Sequence, residues 1–274
     1  MVLPFTENNN PTPYPQVNAI LHELLHEVQQ ILGKHLLGMY LEGSLASTGF
    51  DQDSDIDFIV VTDQDVSEAD YLALQIMHDR INQIDSYWAI NLEGSYISQS
   101  AIRRHDPQHA LHPNIERGSG ERLKLVFHDE TWIIHRYILR ERGIILIGPA
   151  PETLIDPLSP ADLQRAMFPK LHDWAAYILN HPDEIVHRGY QSYTVLSICR
   201  ILYTLQFGDV VSKPAAAHWV KQTLDPKWHA LIDQTWTGRH TPGLASEPQD
   251  ITQTLEFIRF ALEVSTHIKL PPVA

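Results

Sequence analysis

Asp55-Ile56-Asp57 heads a run, Phe58-Ile59-Val60-Val61, that is otherwise wholly apolar. Charge placed against a buried strand is costly unless it finds a partner. A fold that accepts this sequence must therefore bring the two aspartates to an edge of the core or supply them with a cation. Side chains alternate across a strand, so Asp55 and Asp57 project to one face while Ile56 and Phe58 project to the other. The pair stands about 7 Å apart on one rigid element, close enough to share divalent cations. Upstream, the apolar residues 37–41 read as a strand that ends at Gly43-Ser44, and a polar loop over 48–53 leads back to the aspartates. Gly43 allows close backbone approach to a phosphate, and Ser44 adds a hydroxyl and a backbone donor at the same turn. An isolated Asp-x-Asp is ordinarily a solvent-facing stretch of strand. The apolar continuation and the preceding strand–Gly–Ser turn favour a metal site here.

The surrounding pattern is a mixed α/β domain followed by an all-helical one. Val17, Ile20, Leu21, Leu24, Val28, Ile31 and Leu32 fall at helical spacing, with Gly33 as a C-cap candidate. Ser67 and Asp70 form a capping-box-like start for a helix to about residue 84. A third strand is expected over 88–97, carrying Glu93 with Asn91 and Ser95 on its face. If that strand neighbours the aspartate strand, Glu93 converges on the metal and supplies a base. Residues 103–121 read as a long loop, a helix follows over about 132–142, and 144–147 reads as a strand. Gly148-Pro149-Ala150-Pro151 is the expected boundary, giving domains 1–150 and 151–274. Beyond it Ser159-Pro160-Ala161-Asp162 reads as an N-cap, a proline at the first helical position and an acid at the third. Further helices are expected at about 190–207, 213–224, 226–237 and 249–267.

Composition restricts the function. Hydrophobic residues make up 43% of the 274-residue chain and charged residues 20%, which fits a folded globular protein and excludes disorder. Twenty Lys and Arg against 34 Asp and Glu leave a formal charge of −14, so a long nucleic acid is a poor partner and a small or cationic substrate a better one. No apolar run reaches the ~18 residues of a membrane span, and the first 15 residues do not read as a secretory signal. The single cysteine, Cys199, leaves no internal disulfide and agrees with a cytoplasmic location. It reads as a small buried hydrophobe rather than a nucleophile. His105, His109 and His112 have metal-compatible spacing but lie in a loop of a chain with 16 histidines, where such clusters arise by chance. Trp88 and Trp174 have the best claim to a cleft among the tryptophans, although packing explains both.

Gly43-Ser44, ten residues, then Asp55-Ile56-Asp57 resembles the signature of the nucleotidyltransferase superfamily related to DNA polymerase beta. The stretches 196–204 and 208–217 resemble the helical domain of aminoglycoside nucleotidyltransferases that adenylylate streptomycin and spectinomycin. The resemblance spans about residues 20–240. It implies a two-domain adenylyltransferase using ATP as co-substrate and two magnesium ions, acting on a hydroxyl of a small, cationic acceptor with release of pyrophosphate. By position it makes Asp55, Asp57 and Glu93 metal ligands, with Glu93 also the catalytic base. Ser44 and Ser54 would contact the triphosphate beside Gly43, and Arg200 and Lys213 would reach it from the helical domain. Arg200 sits among Ile198, Ile201 and Leu202, an awkward place for a charge without an anionic partner. Streptomycin-modifying members carry a tryptophan in the loop after the glutamate and an acid just before the arginine helix. Residues 103–120 hold no tryptophan, and His187-Arg188-Gly189-Tyr190 holds no acid, so spectinomycin is favoured. A monomer that binds neither nucleic acid nor membrane is expected. The alternatives are the same chemistry on a protein or RNA acceptor, and a nucleotide-binding relative without turnover.

Overall fold

A computed structural model describes residues 10–47 and 49–271; Thr48 and most of the N-terminal segment lie outside the described residues. The chain divides into two compact units, residues 1–157 and 158–274. The first unit is a six-stranded mixed sheet. Its strands are β1 (Leu36–Leu41), β2 (Ile56–Thr62), β3 (Leu92–Ser98), β4 (Leu111–Ile115), β5 (Lys124–Phe127) and β6 (Ile144–Ile147), in spatial order β5-β4-β3-β2-β1-β6. β2 and β3 are parallel, and every other neighbouring pair is antiparallel.

Alternation along the central strands gives the sheet two apolar faces. Met39, Leu41, Ile56, Phe58, Val60, Leu92 and Tyr96 pack on one side against α1 (Pro15–Leu32) and α3 (Glu68–Ile81). Tyr40, Ile59, Val61 and Ile97 pack on the other with Ala101 and Ile102 of α4 (Gln99–Arg103) and Leu139 of α5 (Ile133–Arg142). Helix starts follow their caps: Ser67 Oγ accepts the Asp70 N–H at 3.1 Å at the head of α3. A four-residue helix, α2 (Gly43–Ala46), occupies the turn after β1.

Three expectations need correction. The third strand starts at Leu92, not Trp88, because residues 88–91 form a turn in which Asn91 Nδ2 donates to the Tyr87 carbonyl. Residues 103–121 are not one long loop; they contain β4, whose short polar sequence, with a proline in its middle, carries little strand signal. The division between units falls after Pro157 rather than after Ala150. Leu154 and Ile155 belong to the core of the first unit, where Arg140 Nη1 donates to the Ile155 carbonyl.

The second unit is a helical bundle of α6 (Pro160–Asn180), α7 (Arg188–Phe207), α8 (Lys213–Thr223), α9 (His229–Gly238) and α10 (Pro248–His267). α7 is buried on most of its circumference and packs against the other four. The capping box at Ser159 and Asp162 forms as its sequence suggests. Gly208 ends α7 in the left-handed conformation (φ 64°).

Candidate active site

Asp57 and Glu93 are register partners on the parallel strands β2 and β3, and Asp55 precedes β2 by one residue. All three share the parity of Ile59, Val61 and Ile97, so they continue the second face of the sheet past the end of its apolar cover. One carboxylate oxygen from each lies within 4.8 Å of the other two, and this is the only such group of His, Cys, Asp and Glu among the described residues. Burial pushes the Glu93 carboxyl above its ordinary pKa; Asp55 adds to the rise, Arg117 and His135 oppose it, and Glu42 raises it further.

The turn after β1 closes over this group. Gly43 has φ 60°, and a β-carbon there would stand 1.8 Å from Asp57 Oδ2. Only glycine lets the backbone take this conformation and come this close. Ser44 Oγ, in the same turn as Gly43, is buried without a hydrogen-bond partner. Three carboxylate oxygens are the hard donor set that magnesium prefers, and an unmet hydroxyl and close backbone suit a phosphate. The residues present fit a magnesium–nucleotide site. Ser54 differs: its hydroxyl donates to Asp51 Oδ1 and accepts from the Asp51 N–H, each at 3.0 Å, so it braces the loop.

In the second unit, Tyr193 and Arg200 are seven residues apart on α7 and therefore share one face. Lys213, the first residue of α8, places Nζ 4.8 Å from the centroid of the Tyr193 ring. The two basic residues singled out from the sequence thus belong to one surface of the bundle. Cys199 is fully buried, and burial pushes its thiol up to about 12, leaving it inert at neutral pH. His109 pairs with Asp65 and His112 packs against His128, so these two histidines are separately engaged.

Comparison with known proteins finds matches for both units. Residues 21–113 match the nucleotidyltransferase domain family, and residues 153–261 match the family described as aminoglycoside adenylyltransferase, C-terminal domain. The chain thus joins a nucleotidyltransferase domain to a C-terminal domain similar to that of aminoglycoside adenylyltransferases. An aminoglycoside (3'')(9) adenylyltransferase of Escherichia coli is 26% identical over 260 residues, covering 89% of this chain and 94% of the relative. A spectinomycin 9-adenylyltransferase of Staphylococcus aureus is 23% identical over 217 residues, covering 77% and 80%. The fold is also that of a spectinomycin adenyltransferase of Enterococcus faecalis solved with ATP and spectinomycin (TM-score 0.66, 16% identity, 89% of this chain and 98% of that one).

Three further residues join the site without having been foreseen. Glu42, immediately after β1, is 4% exposed and donates its N–H to the Asp57 carbonyl at 3.0 Å. Glu42, Asp57 and Glu93 therefore form a transverse row across three adjacent strands. His135 on α5 reaches this row, with Nδ1 2.7 Å from Glu42 Oε1, and its ring stacks on Trp132. The pair ties the Gly43-Ser44 turn to α5. Arg117, just beyond β4, donates from Nη1 to Asp55 Oδ2 at 2.9 Å. Burial works against its charge, but Asp55, Glu93 and Asp57 outweigh that effect and raise its pKa. A signal for Glu42 was present, since it is a charge directly ending the apolar strand β1, immediately before Gly43. None existed for His135 or Arg117, which lie 93 and 62 residues from their partners.

Proposed function

We propose that the protein transfers AMP from ATP to a hydroxyl of a small aminoglycoside or aminocyclitol acceptor, releasing pyrophosphate, with spectinomycin preferred to streptomycin. The observation that carries this reading is the convergence of Asp55, Asp57 and Glu93 beneath the Gly43-Ser44 turn. Those three carboxylates would hold magnesium, with two ions shared among them. Bound there, magnesium supplies charge neutralisation for the triphosphate and alignment of the α-phosphorus. Glu93 takes the proton of the acceptor hydroxyl, which attacks in line as the pyrophosphate oxygen leaves. Its raised pKa suits it to that task, because a base works best with a pKa near the working pH. Ser44 and the backbone at Gly43 donate to the triphosphate, with Ser54 shaping the loop beside them. A role for Arg200 and Lys213 in binding the nucleotide is part of this reading. The acidic balance of the chain favours a cationic acceptor over RNA, and the curated relatives are named for spectinomycin and aminoglycosides.

The test is incubation with ATP, magnesium and an aminoglycoside panel that includes spectinomycin and streptomycin, following pyrophosphate release and acceptor mass. A mass increase of one AMP on spectinomycin is expected. D57N should lower turnover more than about 100-fold while remaining folded. No release across the panel removes the acceptor assignment, and near-normal turnover by D57N removes the metal role.

A further inference from the structure

We propose that Arg117 is an exchangeable counter-ion of the acidic triad: its guanidinium holds Asp55 until a divalent cation takes that carboxylate, and then pairs with a phosphate oxygen of the nucleotide. This rests on the function proposed above. Three observations carry it. Arg117 Nη1 binds Asp55 Oδ2 at 2.9 Å, so the guanidinium and a metal ion compete for one carboxylate. Two cations on one carboxylate repel each other, and the divalent ion, coordinated by all three acids, wins. The Arg117 side chain is 49% exposed, so it can leave Asp55 without opening the core. Its backbone stays fixed meanwhile, because the next residue, Gly118, donates its N–H to the Ile90 carbonyl at 2.7 Å.

The displaced guanidinium keeps its planar fork of five donors, which matches phosphate oxygens. An arriving triphosphate brings the negative charge that this fork would meet. Arg103 and Arg122 pair with Asp156 and Asp79, carboxylates outside the triad. Arg117 alone among these three arginines is bonded to a proposed metal ligand. Metal and nucleotide binding are then coupled: the cation alone must displace Arg117, whereas the cation with nucleotide gives Arg117 a new partner.

The experiment titrates manganese into the full chain by electron paramagnetic resonance, alone and with a non-hydrolysable ATP analogue, for wild type, R117Q, R117K and D57N. R117Q should bind manganese alone about tenfold tighter, because a competing charge has gone. It should bind the manganese–analogue complex about tenfold more weakly, because a charged phosphate contact has gone. R117K should keep wild-type affinity for manganese alone and lose affinity for the analogue; it carries the test if R117Q does not fold. Unchanged or weaker manganese binding by R117Q, or undiminished analogue binding, overturns the Arg117 assignment alone. Wild-type protein without manganese binding that D57N abolishes overturns the proposed function with it.

Discussion

Gly43→Ala puts a single methyl group where the site has no room for it. Two effects separate cleanly. The first is backbone strain: an alanine at φ 60° costs on the order of 1–2 kcal/mol, as it would anywhere in the chain. The second is local to the site. The new β-carbon would lie 1.8 Å from Asp57 Oδ2 and 2.5 Å from its Cγ, so the carboxylate must retreat by about 1.6 Å to regain an ordinary 3.4 Å contact. Misplacing a reacting or ligating group by about 1 Å costs about 100-fold in rate. Gly33→Ala is the control, because Gly33 has φ 52° but nothing within 4 Å of its would-be β-carbon. Both variants should lose similar stability, a few degrees in melting temperature. Only G43A should lose about 100-fold or more in pyrophosphate release and weaken manganese binding. Equal turnover in G43A and G33A would refute the claim that this turn fixes the Asp57 carboxylate.

Other consequences concern charge. E93Q should lower turnover by about 10²–10⁴-fold yet raise the melting temperature of chelator-treated protein. Glu93 ionises at a cost in the folded state, so the gain is greatest at neutral pH and disappears as pH falls through its raised pKa; a destabilised E93Q at pH 7 contradicts this. His78, His112 and His128 are held neutral by burial, with pKa values lowered to about 3, 4 and 3. Unfolding admits protons below about pH 6.5 that the folded state refuses, so urea stability should fall between pH 7 and 5 by on the order of 1–2 kcal/mol per histidine. A flat profile there would show that these rings protonate freely. R200Q and K213Q should raise the KM for ATP with a smaller effect on kcat, and an unaltered KM in both removes them from triphosphate binding.

Most elements were legible because their determinants are local. α6 announces itself through Ser159, Pro160 and Asp162, and β2 through an unbroken apolar run. The convergence of Asp55 and Asp57 follows from alternation along one strand, and Glu93 was a sound candidate as the acid of the next one. β4 and β5 were not legible. They are short, and their exposed residues include Leu111, Leu125 and Phe127, the reverse of the usual pattern.

The Gly43-Ser44 turn, the Asp-x-Asp strand and the order of helices were written in neighbouring residues, because periodicity and backbone sterics act over a few positions. Tertiary structure decided the parallel pairing that sets Glu93 opposite Asp57. It also decided the His135–Glu42 contact and the placement of Arg117 on Asp55. Those contacts depend on how distant strands and α5 pack. Packing is fixed by shape and burial summed over the whole unit, which no short stretch of sequence encodes.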